Sequence, residues 1–288
     1  MRIVAPAKIN LWFSVGPRRA DGYHEIVSVM QAVSLFDELH IEPADASTFD
    51  VEPAGWAPED ETNLVVRALR QFSAATGARG ELSLRLHKNI PAAHGLAGGS
   101  ADAAATLVGL NEFHRTGISK KALEKMGAAL GSDVPFCIRG GTAVARGRGD
   151  DLSPIASKEL WWVLASSGES LSTASVYEEF DRGEPTSLED PFDVADALAR
   201  GDTDRIAMNL RNDLYPAAAA LLPEVEETGR ALREAGALGT VMSGSGPAWC
   251  GLARDEAHAV DVAGTVRSDA AWVEVACSVA QGARSEVA

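Results

Sequence analysis

The sequence predicts an α+β fold in two parts, and three observations carry that prediction. Strand-like alternation and helix-like 3.6-residue spacing are mixed in both halves of the chain rather than segregated. A glycine- and charge-rich stretch, RGRGDDLSP at 146–154, interrupts them near the middle. At 288 residues the chain is long enough for two ordinary domains, expected at 1–150 and 151–288.

The opening IVAPAKINLWFSV alternates and is rich in β-formers, so it reads as one or two strands interrupted by Pro6. PRRADGYHE is a polar turn, and IVSVMQAVSLFDELHIEPA reads as an extended pair turning near Phe36 and Asp37. Residues 42–61 are acidic and rich in Pro and Gly, a loop or irregular hairpin. In NLVVRALRQFSAATG, the spacing of Leu64, Val65, Ala68, Leu69 and Phe72 predicts a helix that Gly77 stops. ELSLRLHKNIP alternates Leu82, Leu84 and Leu86 as a strand leading to Pro91. A helix pattern follows from Ala103 to Glu112, then a second, SKKALEKMGAALG, with Ser119 as N-cap and Gly131 as its end. SDVPFCI is expected as loop and TAVARG as strand.

Beyond the boundary, LWWVLASSG reads as a strand and STASVYEEFD as a short helix. Residues 191–214 and 223–235 read as helical. A strand, the turn SGSGP, the strand AWCGL, a helix over 255–267 and a last strand, AWVEVAC, complete the pattern. This half is consistent with a ferredoxin-like split βαβ.

Bulk properties exclude several functions. A net charge of −15 argues against a nucleic-acid surface, which needs clustered Lys and Arg. Any anionic ligand must therefore be held by local devices. Cys137, Cys250 and Cys277 lie far apart without a CxxC pair, as reduced cysteines of a cytoplasmic protein do. The N-terminal apolar run is soon broken by Pro6, Lys8 and Asn10, which disfavours a signal peptide. No window approaches ~18 consecutive apolar residues, so a membrane span is not expected.

Two loops carry the candidate chemistry. IPAAHGLAGGSADAA (90–104) lies between the end of a strand and the start of a helix near Ser100. Free amides and a partial positive charge make a helix N-terminus an anion site. Gly95, Gly98 and Gly99 let backbone approach a phosphate closely. Ser100 can donate its hydroxyl or cap the helix, and Asp102 can meet a metal ion or the helix dipole. No GxxxxGK[ST], GxGxxG or GxSxG motif occurs, so a phosphate here is held without the P-loop lysine. The second loop, VMSGSGPAWCGL (241–252), reads alone as a hairpin turn, but two Gly/Ser loops in one chain point to convergence on one ligand.

PAKINLWF (6–13), IPAAHGLAGGSADAA (90–104) and MSGSGPAWCG (242–251) resemble, in order and spacing, the three motifs of the GHMP kinases. PAKINLWFSVGPRRADGYHEIVSVMQ, GSDVPFCIRGGTAVARGRG, STASVY (172–177) and NDL (212–214) extend the resemblance over nearly the whole chain. They point to the branch whose acceptor is a cytidine-diphosphate-linked methylerythritol of non-mevalonate isoprenoid synthesis. The loop departs from the family pattern, which is closer to PxGxGLGGGSSDAA: Ala93, Ala97 and Ala101 replace small residues and His94 is added. Alanine there is a mild change unless the position requires positive φ.

The resemblance implies an N-terminal ribosomal-protein-S5-like domain and a C-terminal ferredoxin-like domain with the active site in the cleft between them. It implies transfer of the ATP γ-phosphoryl group, with Mg2+, to the 2-hydroxyl of a small-molecule acceptor. Asp133 matches the catalytic base, expected just past the 119–130 helix, and Lys8 its charged partner. Lys88, Pro91, Ala92, Ala93, His94, Gly95, Leu96, Ala97, Gly98, Gly99 and Ser100 match the ATP site, with Asn89 beside them. Asn10 is expected to bond the substrate or hold Lys8, and Tyr23, His24 and Tyr177 to enclose the cytosine. Gly244, Ser245 and Gly246 support the substrate end of the cleft or pack against the phosphate loop. Ser100 and Asp102 are the metal-ligand candidates. The expected partner is the small-molecule substrate, with neither nucleic acid nor membrane, in a cytoplasmic monomer or homodimer. The alternatives are another small-molecule kinase of the family, of homoserine or mevalonate type, or a non-catalytic nucleotide-binding protein on the same scaffold.

Overall fold

The structure, a computed structural model, describes residues 1–183 and 187–286. Two long antiparallel strands, β1 (Arg2–Arg18) and β2 (His24–Pro43), form its spine, paired from Arg2↔His40 to Arg18↔His24 with three shifts of register between. Pro6 therefore does not divide the first strand. The register shifts between Pro6 and Ala7, and this irregularity accommodates a residue with no donor. Nor does the chain turn at Phe36 and Asp37, because β2 continues to pair with β1 through both.

The sheet built on this hairpin has the order β12-β1-β2-β4-β3. Its further strands are β3 (Thr48–Glu52), β4 (Leu82–His87), β5 (Thr142–Gly147), β6 (Asp151–Pro154), β8 (Arg211–Asn212) and β12 (Arg284–Glu286). β2 pairs with β5 over Ile26–Gln31 and with β4 over Glu38–Pro43. β3 runs parallel to β4 and gives the acidic 42–61 stretch a strand. β6 pairs with β5, while β8 and β12 both pair with β1, so the expected boundary at 150 falls inside a hairpin of this sheet.

Four helices cover it. α1 (Leu64–Thr76) is capped by Asn63 and closed by Gly77 in the left-handed region, as its periodicity predicts. α2 (Gly98–Phe113) starts within the glycine loop, ahead of its predicted onset, and is buried almost all round. Its small residues permit this: a Cβ on Gly109 would come within 2.6 Å of Ile41 and 2.9 Å of Ile3. α3 (Lys120–Gly127) uses Ser119 as N-cap but ends at Gly127, short of Gly131. The segment expected as loop forms α4 (Val134–Arg139), too short to show periodicity, with Pro135 in its first turn where no donor is needed.

The second sheet, β7 (Trp161–Ser166), β9 (Gly239–Met242), β10 (Trp249–Ala253) and β11 (Trp272–Cys277), is antiparallel with the order β11-β7-β10-β9. With α9 (Glu224–Glu234) and α10 (Glu256–Val266), this is the ferredoxin-like arrangement, fourth-first-third-second. α5 (Thr173–Phe180), α6 (Phe192–Arg200), α7 (Thr203–Met208) and α8 (Tyr215–Leu221) fill the connection between β7 and β9. The helix expected over 191–214 is therefore α6, α7 and the short strand β8. A buried bond from Trp162 Nε1 to Gln31 Oε1 ties the two sheets together.

Candidate active site

Lys8 projects from β1 and is 4% exposed. An ammonium has three donors. Two of them go to Asn10 Oδ1 (2.6 Å) and to the Gly95 carbonyl (2.9 Å). Asp133 Oδ2 lies 3.8 Å from the same nitrogen, an ion pair without a direct hydrogen bond. Asp133 stands at the N-terminus of α4 with no capping bond from its side chain, which is held toward Lys8 and a cavity of about 640 Å³. Asn10 is fully buried and gives its amide to Ser28 Oγ, so it holds Lys8 and does not face the cavity as a substrate ligand.

The two glycine loops meet at this lysine. Ser243 Oγ donates to the Gly95 carbonyl (2.9 Å), and the Lys8 amide donates to the Leu96 carbonyl (3.1 Å). Gly95 has φ +76°, and a Cβ there would lie 2.0 Å from the Ser243 carbonyl oxygen. Gly244, at φ +56°, passes so near Lys8 Nζ that a Cβ would sit 3.2 Å from it. Asn212 donates to the carbonyls of both Met242 and Gly244 (2.7 Å each), which gives the NDL motif its place: it clamps the SGSG turn. Gly246 also takes positive φ, and Ser245 Oγ bonds Thr173 Oγ1 (2.9 Å) at the start of α5.

Pro91, Ala93, His94, Gly95, Ala97, Gly98, Gly99 and Ser100 line the cavity beside the N-terminus of α2. No side chain caps this helix, so its first amides remain available to an anion. Ala93 and Ala97 adopt positive φ, +56° and +60°, the case in which alanine in place of glycine is strained. His94 Nδ1 donates to the Ala92 carbonyl (2.5 Å).

The other end of the cavity is aromatic. Tyr23, His24 and Tyr177 line it, with His24 and Tyr177 ring centroids 5.1 Å apart. His24 Nδ1 donates to the Gly16 carbonyl (3.0 Å), and its Nε2 lies 3.1 Å from Asp181 Oδ1. The Arg148 guanidinium stacks 5.2 Å from the Tyr23 ring centre and is paired with Asp150. Burial, aided by the Asp133 charge, pushes the Tyr177 phenol well above its ordinary range, so it is neutral here. Arg148, Asp181 and Thr173 escape the sequence reading. STASVY flags the neighbourhood of Thr173 and GSDVPFCIRGGTAVARGRG that of Arg148, whereas only tertiary proximity reveals Asp181.

Five residues expected at the nucleotide or metal site do not line the cavity. Ala92 is exposed outside it, and the Leu96 side chain is buried in the core. Lys88, at the end of β4, is buried and bonded to Asp37 and to Asp102 (2.7 Å to the latter). Its ammonium is committed to those carboxylates, and Asp102 is correspondingly unavailable to a metal ion. Burial lowers the lysine's affinity for its proton, but Asp102 and Asp37 outweigh it and hold Lys88 charged. Burial and the nearby Asp37 push the Asp102 carboxyl up, against the pull of Lys88. Asn89 bonds the Phe36 carbonyl instead of projecting into the site. Among the described residues no cluster of three His, Cys, Asp or Glu could hold a metal ion.

Comparison with known proteins identifies the family of the chain. Residues 63–141 match the model of the GHMP kinases N terminal domain, and residues 194–270 that of the GHMP kinases C terminal. The 4-diphosphocytidyl-2-C-methyl-D-erythritol kinase of Nocardia farcinica is 46% identical over 266 residues, covering 90% of this chain and 87% of its own. That of Mycobacterium tuberculosis is 41% identical over 292 residues, covering 97% and 91%. A crystal structure of 4-(cytidine 5'-diphospho)-2C-methyl-D-erythritol kinase superposes with a TM-score of 0.83 at 34% identity, over 96% of this chain and 99% of that one. Homoserine kinase from Cytophaga hutchinsonii gives 0.78 at 20% identity, over 99% and 96%, a likeness of fold alone. A cavity that joins a lysine–aspartate pair to an uncapped helix and an aromatic slot thus sits in a chain that belongs to the 4-diphosphocytidyl-2-C-methyl-D-erythritol kinase family of the GHMP kinases.

Proposed function

We propose that this kinase transfers the γ-phosphoryl group of ATP to the 2-hydroxyl of 4-diphosphocytidyl-2-C-methyl-D-erythritol, giving the 2-phosphate and ADP. The observation that carries the reading is the junction at Lys8, where the strand, the phosphate loop and the SGSG turn converge 3.8 Å from Asp133. Residues 1–150 supply the phosphate loop and the lysine–aspartate pair, and residues 151–288 supply Tyr177 and the turn.

Phosphoryl transfer asks a protein mainly for positioning and charge stabilisation. The cytosine enters between Tyr23 and Tyr177 with His24 at its polar edge, and the acceptor hydroxyl then reaches Asp133. Asp133 takes the proton as the hydroxyl attacks the γ-phosphorus, and the bond to ADP breaks in line. Lys8, its third donor free, stands beside the carboxylate and offsets charge on the transferring oxygens. The amides of Gly98, Gly99 and Ser100 hold the phosphates without a P-loop lysine. Mg2+ bound with ATP would supply charge neutralisation at the phosphates, and Ser100 would be its protein ligand, because Asp102 is engaged with Lys88.

No helix among the described residues is long and apolar enough to cross a membrane. The kinship with bacterial metabolic kinases supports a cytoplasmic enzyme, proposed as a monomer or homodimer. The test is a phosphorylation assay offering the cytidylyl alcohol, homoserine and mevalonate in parallel, with the product identified by phosphorus NMR. A 2-phosphomonoester formed from the cytidylyl substrate is expected. Transfer to homoserine or mevalonate instead, or no transfer, rejects the assignment.

A further inference from the structure

The buried Lys88 remains without a task in this mechanism. It lies behind the phosphate loop, outside the cavity, yet touches the supports of both loop ends. Its ammonium bonds Asp37 on β2 and Asp102 in the second turn of α2. Asp37 Oδ1 in turn accepts the amides of Asn89 (2.6 Å) and Ile90 (2.9 Å), where the chain leaves β4 and enters the loop. Gly98 opens α2 so close to this cluster that a Cβ there would lie 3.2 Å from Lys88 Nζ. One lysine thus fastens the entry of the loop, through Asp37, and the helix at its exit, through Asp102.

The surroundings make this clamp stiff. Lys88, Asp37 and Asp102 are 4%, 1% and 2% exposed, so their bonds are shielded from bulk solvent. Amides that bind phosphate must be held within a fraction of an ångström of their places, and groups behind the site do that holding. A purely structural salt bridge has no need to span both ends of a ligand-binding loop.

We propose that Lys88 is a positioning residue for the nucleotide: with Asp37 and Asp102 it fixes the separation and orientation of the two ends of the 90–98 loop, so that the first amides of α2 meet the ATP phosphates. This rests on the loop being the phosphate site, as proposed above. It separates Lys88 from Asp133 and Lys8, because the clamp has no contact with the acceptor pocket.

The test compares Lys88→Met and Asp37→Asn with the wild type by steady-state kinetics in each substrate, by binding of a fluorescent ATP analogue, and by thermal melting. The expected result is a KM for ATP and an analogue Kd raised about 10- to 100-fold, with KM for the cytidylyl alcohol at saturating ATP within twofold. Asp37→Asn, which keeps the side-chain shape, moves the same constants in the same direction and decides the question should Lys88→Met not fold. A folded variant with a lower melting temperature but unchanged nucleotide constants overturns the inference, as does an equal rise in both KM values. Should the wild type bind the analogue yet not phosphorylate the cytidylyl alcohol, the proposed function falls while the analogue data still decide the role of Lys88.

Discussion

Asp133 and Lys8 form a pair whose chemistry depends on what each lacks. The lysine is held by two neutral acceptors and keeps one donor unspent; the aspartate caps nothing and faces the cavity. Asp133→Ala is expected to reduce turnover by about 10²- to 10⁴-fold while nucleotide-analogue binding persists, measured by single-turnover kinetics and titration. Near-normal turnover in that variant rejects the base assignment. Asp102 gives a prediction of a different kind. Burial raises its folded-state affinity for a proton above that of the unfolded chain, and one of its oxygens has no partner. Its favourable contribution is therefore complete below the ordinary carboxylate range, about pH 4, and is lost as pH rises through the elevated folded value. Asp102→Asn removes that loss, so the melting temperature of the variant should gain on the wild type as pH increases. A difference that stays constant with pH refutes the reading.

At the scale of elements, the site is made where two glycine loops press together, and the glycines there are not equivalent. Gly95 has positive φ and no room for a Cβ, whereas the nearest atom to a Cβ on Gly99 is Leu64 Cδ1 at 3.6 Å. Gly95→Ala should lower stability by about 1–3 kcal/mol and weaken ATP, because the methyl group pushes the SGSG turn off the phosphate loop. Gly99→Ala should leave the melting temperature unchanged or higher, since alanine favours helix, and still raise KM for ATP by placing a methyl group in the cradle. Equal effects of the two substitutions would contradict the assigned geometry. The SGSG turn in turn depends on Asn212, which holds two of its carbonyls.

At the scale of the molecule, a chain of net charge −15 must bind two phosphate-bearing ligands. In the proposed site, helix amides and a few cations meet that need inside one cavity, whose walls come from residues between Lys8 and Ser245. The long β1–β2 hairpin holds these walls together, with β8 and β12 returning from late in the sequence to flank β1. Binding to the folded state alone stabilises it by mass action, about 2.7 kcal/mol at 100 times Kd. ATP analogue and cytidylyl alcohol should each raise the melting temperature by a few degrees, whereas homoserine should not. A scan showing no shift with either ligand counts against the cavity as their site.

The sequence alone determined the periodic helices α1 and α9, the strands that alternate, and the three motifs of the kinase family, because these are properties of residue type and spacing. It determined Gly77 and Ser119 as cap residues for the same local reason. Tertiary structure decided the rest. Strand alternation does not reveal that 2–18 and 24–43 are unbroken, since continuity comes from pairing across the sheet. Periodicity cannot detect α4, six residues long, on which Asp133 depends. Lys88 and Asp102 carry charges that suit a nucleotide or a metal ion. Only folding shows them spent on each other, because 14 residues of sequence separate two side chains 2.7 Å apart.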